Sequence, residues 1–332
     1  MTGRQILVTG ASGFVGGAVA RMLSEAGHGI AAVSRRRPQI PDGFSWIAGD
    51  LADAATLEQC LENCGAVVNV AGKTGLPTTA EEEREFYQVN CDAAAALARS
   101  ARRAGVQTFI HVSSTGIFGP GNGTVSEASL CRPGNIYERS KAAGEQAVVA
   151  EATRDMKVTV VRPTNVFGEG HPRRKLLGWF RSVKAGRTIL IRDPARKWVN
   201  YVYVGDVARA ITEFLGRGGS SASRPECSGV YILNTPSTVA EMFDLSAQAL
   251  GMKANRLVCP QWPLWAVATA AEFAAGVLRK SAPLTRDKVR ELSGTQIFLA
   301  DRVRDVQPAF PYFGLAEGLA RTCRRYASMG LL

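Results

Sequence analysis

The chain has 332 residues, 46% of them hydrophobic and 21% charged, and its 40 Lys and Arg against 29 Asp and Glu give a net charge of +11. That balance excludes a disordered chain and fits one large or two modest globular domains with a sizeable core. The positive excess suits small anionic ligands; without basic and aromatic residues in alternation, nucleic acid is not an expected partner. Seven cysteines show no paired metal-ligand spacing, and the opening "MTGRQILVTG" is too short and too interrupted for a secretory core segment. Reduced thiols, a cytoplasmic chain and no metal site are expected.

In chain order, "RQILVTG" reads as a buried strand, and "GFVGGAVARMLSEAG" has helical apolar spacing with a glycine stop at Gly27. Between them, "VTGASGFVGGA" sets Gly10, Gly13 and Gly16 three residues apart. Gly10 permits a tight turn, Gly13 lets backbone approach a pyrophosphate, and Gly16 lets the helix pack on the strand. The main-chain amides around Ser12, Gly13, Phe14, Val15 and Gly16 open the helix at its positive end, a dinucleotide phosphate site.

The second strand, "GIAAVS", ends where an acidic residue would select NAD. Here Ser34 takes that place, followed by Arg35, Arg36 and Arg37, and Arg35 is the candidate for a 2′-phosphate, favouring NADP over NAD. Strand three, "FSWIAGD", delivers Asp50 and Leu51 near the cofactor, where Asp50 accepts from the adenine amino group or caps the next helix. Strand four, "GAVVNVAG", delivers Ala71 and Gly72, whose small size leaves room for the dinucleotide, and Lys73, which adds charge or faces water.

A helix over "AATLEQCLENC" links strands three and four, and "EREFYQVNCDAAAALARSARRAG" reads as one long helix. "QTFIHVSS" is a fifth strand, Tyr137 and Lys141 sit in an amphipathic helix, and "KVTVVRP" is a sixth strand. Strands alternating with helices predict an α/β fold: a doubly wound parallel sheet of Rossmann type, with ligands at the strands' carboxyl ends. Beyond Pro163 the regularity fades. "VNYVYVGDVARAITEFLG" reads as a strand and helix returning to the core, "RGGSSASRPECSG" as an exposed loop, and Thr238 with Glu241 as a capping box. This predicts a dinucleotide domain over 1–170 with 198–235, and a smaller discontinuous α+β substrate lobe over 171–197 with 236–332. "WPLWAVATAAEFAAGVL", 262–278, is too short for a span and contains Glu272; a buried or interfacial helix is expected, with peripheral membrane contact the alternative.

The glycine turn, "GDL", "NVAG", "HVSSTGIFG", Tyr137-x-x-x-Lys141 and "VVRPTNVFG" stand in an order that resembles the extended short-chain dehydrogenase/reductase family, which includes sugar-nucleotide epimerases and dehydratases. The resemblance implies an enzyme in which Ser114, Tyr137 and Lys141 converge beside a nicotinamide, with Pro163 close by. A tyrosine ionises near pKa ~10, too high for a base at neutral pH, and a lysine one helical turn away stabilises the phenolate. In the family this lysine also bonds the nicotinamide ribose. Tyr137 is then the acid/base during hydride transfer, and Ser114 holds the reacting oxygen.

The 4,6-dehydratases of the family carry an Asp-Glu pair after the catalytic hydroxyl; Thr115 and Gly116 stand there in this chain and disfavour dehydration. Asn165 matches an asparagine that sugar-nucleotide enzymes place near substrate, and "HPRRK" adds Arg173 and Arg174. The arginine that many members carry seven residues before the aspartate of "YVYVGD" is replaced by Val199, leaving Arg196, Arg192 or Arg187 as substitutes. The expectation is an NAD(P)-dependent oxidoreductase or epimerase acting on carbon 4 of a nucleotide sugar, with Thr115, Asn165, Arg173, Arg174 and Arg196 as substrate contacts. The alternative is an NADP-dependent reductase or dehydrogenase of a diphosphate-free ketone or alcohol, of hydroxysteroid or flavonoid type. A non-catalytic dinucleotide sensor ranks below both, and the family's habit implies a homodimer.

Overall fold

The computed structural model describes residues 4–35, 37, 44–174, 176–186, 189–191, 197–216, 229–254, 257–259, 266, 269–272 and 296–332. Its first half alternates strand and helix: β1 (Gln5–Thr9), α1 (Phe14–Glu25), β2 (Ile30–Ser34), β3 (Ser45–Ala48), α2 (Ala54–Leu61) and β4 (Cys64–Asn69). There follow α3 (Ala80–Tyr87), a π-helical turn (Gln88–Asp92), α4 (Ala93–Arg103), β5 (Thr108–Val112), a 3-10 turn (Thr115–Phe118), β6 (Thr124–Val125), α5 (Ile136–Val149) and β7 (Lys157–Pro163).

The second half holds β8 (Asn165–Phe167), α6 (Leu177–Lys184), β9 (Ile189–Ile191), β10 (Trp198–Tyr203), α7 (Val204–Leu215), β11 (Gly229–Leu233), β12 (Thr235–Thr238), α8 (Val239–Ala249), β13 (Leu257–Cys259) and β14 (Ile297–Phe298). Helices Asp301–Val306 and Gly314–Ser328 complete the described chain.

Seven strands form one parallel sheet in the order β11-β7-β5-β4-β1-β2-β3. Along β1, Ile6 and Val8 enter a core with Val19 and Leu23 of α1 and Ile211 of α7, whereas Leu7 faces Leu57 of α2 and Leu97 of α4. This period-two alternation buries both faces of the strand, and each large side chain withdrawn from water contributes about 1.5–3 kcal/mol. The fold is the doubly wound parallel arrangement that the alternation predicts. Strand order reverses at β1, so the crevice between the ends of β1 and β4 is the switch point where such sheets take ligands.

Two elements depart from the sequence reading. The strand at 198–203 does not enter the main sheet; it pairs with β8 and β12 in a separate three-stranded sheet. The seventh strand of the main sheet is β11 instead, a "GVYIL" run following the polar insertion, whose residues 217–228 lie outside the described ones. The long helix of 83–105 is broken by the π-helical turn, where an extra residue turns the Asn90 side chain inward.

A second apolar core joins Phe167, Phe180, Tyr203, Met242, Leu319 and Tyr326, and Phe14 and Val15 pack against it from α1. Asp206 fastens the C-terminal helix to this core, its carboxylate accepting from the amides of Phe313 (2.7 Å) and Gly314 (3.1 Å). At the start of α8, Thr238 accepts from the Glu241 amide, but the Glu241 carboxylate accepts from Ser237, so half of the expected capping box is formed. No helix among the described residues is long and apolar enough to cross a membrane; of 262–278, only 266 and 269–272 are described.

Candidate active site

The glycine turn is shaped by contacts that leave no room for side chains. Gly10 has φ +65°, and a Cβ on it would lie 2.9 Å from the Ala71 amide nitrogen, so the turn after β1 rests directly on the loop after β4. A Cβ on Gly16 would lie 2.6 Å from the Gly10 carbonyl carbon, which is how α1 sits tight on the turn. Gly13 is exposed and stands at the N-cap of α1, where no side chain bonds the first amides. Phe14 and Val15 turn their side chains into the second core, so they offer main chain to the crevice. A helix N-terminus closed by glycines and capped by no side chain fits a dinucleotide's diphosphate.

Beneath this crevice a polar rung crosses three neighbouring strands. Thr9, Asn69 and His111 occupy paired register positions, and all three are buried. The Thr9 hydroxyl accepts from the amides of Val70 and Ala71 and donates to Asn69 Oδ1 at 2.7 Å. Asn69 Nδ2 then donates to His111 Nδ1 at 3.1 Å, which puts the imidazole proton on Nε2. Burial, reinforced by Lys141, holds His111 well below the usual imidazole range, so the ring is neutral.

Ser114, Tyr137 and Lys141 come together. Ser114 caps the 3-10 turn, accepting from the Gly116 amide at 3.0 Å. A Cβ on Gly116 would lie 3.3 Å from Ser114 Oγ and 3.8 Å from Tyr137 Cε1, which brings the hydroxyl and the phenol ring together beside that glycine. Tyr137 opens α5, whose first turn is locked by a full capping box between Asn135 and Glu138. Lys141, 4% exposed, donates from Nζ to the Val112 carbonyl at 2.7 Å. Its Nζ also lies 3.8 Å from where a Cβ on Gly72 would be, so the small residue after β4 leaves the ammonium its place.

The electrostatics differ from the simplest expectation. Burial is the largest influence on Tyr137 and pushes its phenol up; a hydrogen bond with Ser114 pulls it back, and Glu138 adds to the rise. Burial likewise drives Lys141 down from 10.5 to about 8, with Glu145 acting against it. The ammonium is turned to the Val112 carbonyl, so desolvation outweighs lysine–phenol attraction in setting the phenol.

Asn90, which the sequence reading passed over, lies at the centre of this assembly. Its Oδ1 accepts from the Lys73 amide at 2.8 Å, and its Nδ2 donates to the Lys73 carbonyl (3.0 Å) and to Ser140 Oγ (2.9 Å). One side chain thereby ties the loop after β4 to α5, the helix of Tyr137 and Lys141. The signal available in sequence was a lone asparagine inside an alanine-rich helix, where asparagine is a poor helix former.

The remaining candidates take varied places. Asp50 and Arg35 are exposed beyond β3 and β2, and Leu51 is half-buried. Ser34 accepts from Trp46 Nε1 at 3.2 Å. Lys73 pairs through Nζ with Glu85 and lies over the Phe86 ring. Thr115 is buried and donates to the Pro163 carbonyl at 3.4 Å. Asn165 is exposed at the start of β8. The loop carrying Arg173 is anchored by Tyr203 donating to Glu169 at 2.9 Å and by His171 edge-on to Phe14. Arg173 Nη2 comes within 3.4 Å of a Cβ position on Gly75, beyond β4, whereas Arg174 lies near Tyr326. Arg187, Arg192 and Arg196 lie outside the described residues, as does Arg36. Among the described residues no cluster could hold a metal ion, and Cys60 and Cys64 are free and buried.

Known proteins place this geometry in context. The chain is 34% identical over 193 residues to sterol demethylase protein B of Methylococcus capsulatus, an alignment spanning 55% of this chain and 56% of that protein. It is 24% identical to sterol-4-alpha-carboxylate 3-dehydrogenase, decarboxylating, of Schizosaccharomyces pombe, over 96% of each chain. It is 27% identical to UDP-glucose 4-epimerase of Mycolicibacterium smegmatis, over 95% of this chain and 96% of that one. The solved structure of MoeE5 in complex with UDP-glucuronic acid and NAD shares the fold at TM-score 0.70 and 24% identity, over 98% of this chain and 99% of that one. The sequence model of the NAD dependent epimerase/dehydratase family matches residues 6–223, and the chain belongs to that family of extended short-chain dehydrogenase/reductase enzymes.

Proposed function

We propose that the chain is an NAD(P)-dependent oxidoreductase interconverting a secondary alcohol and a ketone on an apolar substrate that carries no diphosphate, of hydroxysteroid type. The observation that carries the reaction is the meeting of Ser114 and Tyr137 beside Gly116, with Lys141 held close by on the Val112 carbonyl. Ser114 holds the substrate oxygen by hydrogen bond, and the Tyr137 phenol gives or takes its proton. Lys141 supplies the positive charge that makes a phenolate tolerable in a buried setting. With a dinucleotide's diphosphate on the cradle of Gly10, Gly13 and Gly16, its nicotinamide would supply the hydride acceptor or donor. Thr115 and Gly116, lacking any carboxylate, give the site no group to expel water from a sugar.

The substrate class rests on Val199. At the position where many sugar-nucleotide enzymes carry a phosphate-gripping arginine, Val199 packs against the apolar core of Phe167, Phe180 and Met242. The sterol-acting proteins among the relatives support the same reading. A nucleotide sugar altered at carbon 4 is the second reading, favoured by Arg173 over Gly75 and by the epimerase relative. Incubation with a 3-hydroxysteroid, its 3-ketone, UDP-glucose and UDP-glucuronic acid, each with NAD and NADP, separates them by nicotinamide absorbance and product analysis. Turnover confined to the UDP-sugars would reject the apolar reading in favour of the second.

For the cofactor, Ser34 and the exposed Arg35 favour NADP. Asp50, Leu51, Ala71, Gly72 and Pro163 complete the proposed cofactor contacts.

A further inference from the structure

One turn beyond Lys141, helix α5 buries a second charge. Glu145 is 6% exposed, and its spacing of four puts it on the same helix face as Lys141. Both carboxylate oxygens accept from Arg162, Nε to Oε2 at 3.0 Å and Nη2 to Oε1. Arg162 comes from β7, is also buried, and holds its guanidinium 5.0 Å from the centroid of Phe118, in the turn that Ser114 caps. The pair therefore links the helix of Tyr137 and Lys141 to the turn of Ser114 and to the strand ending at Pro163.

We propose that the Glu145–Arg162 pair positions the charge on Lys141, with Glu145 as the buried counterion that keeps the lysine protonated and Arg162 restraining it. The proposal rests on the Tyr137–Lys141 reading above and concerns the lysine, whatever the substrate. An ammonium withdrawn from water sheds its proton unless a carboxylate is buried with it. Burial takes Lys141 to about 8, and Glu145 is the carboxylate that raises it. Lys141 and Arg162 bring two positive charges against the one negative charge of Glu145.

The other titratable groups around the pair do not supply that charge. From β5, His111 is neutral. From the loop before α5, the Cys131 thiol is pushed up by burial, with Arg162 lowering and Glu145 raising it. The Glu127 carboxylate accepts from the Ile232 amide, and only its carbonyl receives Arg162, at 3.5 Å. On α5 itself, Glu138 is bound to the amides of Gly134 and Asn135 at the far end of the first turn.

Carbon-13 NMR of protein labelled at lysine Cε follows the titration directly, with the Lys141 signal assigned by its loss in Lys141→Met. In Glu145→Gln the Lys141 titration is expected to fall by about one pH unit or more, and in Arg162→Met to rise by a smaller amount. Because an unpaired buried charge can unfold a domain, Glu145→Leu/Arg162→Leu removes both together. There the titration falls by less than in Glu145→Gln. A Lys141 titration unmoved in Glu145→Gln, or in the double variant where the single one does not fold, overturns the proposal even if turnover is lost. A shifted titration in a protein that turns over none of the panel substrates upholds it while rejecting the substrate reading.

Discussion

Gly144 and Asn90 meet backbone to backbone: a Cβ on Gly144 would sit 2.9 Å from the Asn90 carbonyl carbon and overlap its oxygen. The π-helical turn pushes that carbonyl toward α5, and the glycine lets α5 come close enough for Ser140 to reach the Asn90 amide. A mid-helix glycine normally costs about 1 kcal/mol relative to alanine, so its presence here marks a contact rather than a preference. Gly144→Ala is therefore expected to destabilise the protein by about 1–3 kcal/mol by overpacking, against the helix-propensity trend. Denaturant unfolding measures this, and a more stable Gly144→Ala protein would show that α5 can shift freely. The same shift displaces Tyr137, so turnover should fall with it.

Tyr137→Phe removes the oxygen proposed to transfer the proton and leaves the ring packed edge-on to Phe86. Turnover is expected to drop about 10²–10⁴-fold with the cofactor dissociation constant nearly unchanged. Ser114→Ala should lose less rate, since the substrate oxygen keeps its proton donor. Steady-state kinetics with fluorescence titration of the reduced cofactor distinguishes the two effects. A Tyr137→Phe enzyme at full rate would take the phenol out of the chemistry.

Lys141 makes stability and activity pull apart. Its folded-state pKa of about 8 lies below the ordinary 10.5, so between these values the unfolded chain binds more protons than the folded one. As far as this group is concerned, stability rises with pH from about 8 to 10.5, while catalysis weakens over the same window as the ammonium loses its charge. Lys141→Met is expected to unfold at equal or higher denaturant concentration at pH ~7 yet turn over at least about 10²-fold more slowly. A less stable but active Lys141→Met would contradict both halves.

The proposed preference for NADP is tested at the bend after β2. Arg35→Ala is expected to weaken NADPH binding about tenfold relative to NADH, the equivalent of about 1.4 kcal/mol. Isothermal titration with both cofactors gives the ratio, and an unchanged ratio would remove Arg35 from the 2′-phosphate.

Much of this site is legible in sequence because its parts are local. A glycine after an apolar strand and another before an apolar helix dictate a turn whatever follows, and Gly10 and Gly16 occupy the close approaches that their spacing implies. A tyrosine and a lysine four apart share a helix face by periodicity alone. The order of these motifs, with Ser114 between them, carries the family assignment.

What sequence left open depends on contacts between distant segments. Nothing in "WVNYVY" tells that this strand would pair with 165–167 and 235–238, or that "GVYIL" would close the main sheet, because short apolar strands carry no label for their partners. Asn90 gains its role only when residues 73 and 140 converge on it, and Glu145 becomes a counterion only when Arg162 is folded against it. The lysine's charge was likewise undecided by its identity. Side-chain chemistry and period are written in the chain, but the desolvation that shifts a proton is a property of the packed interior, and only the tertiary structure creates one.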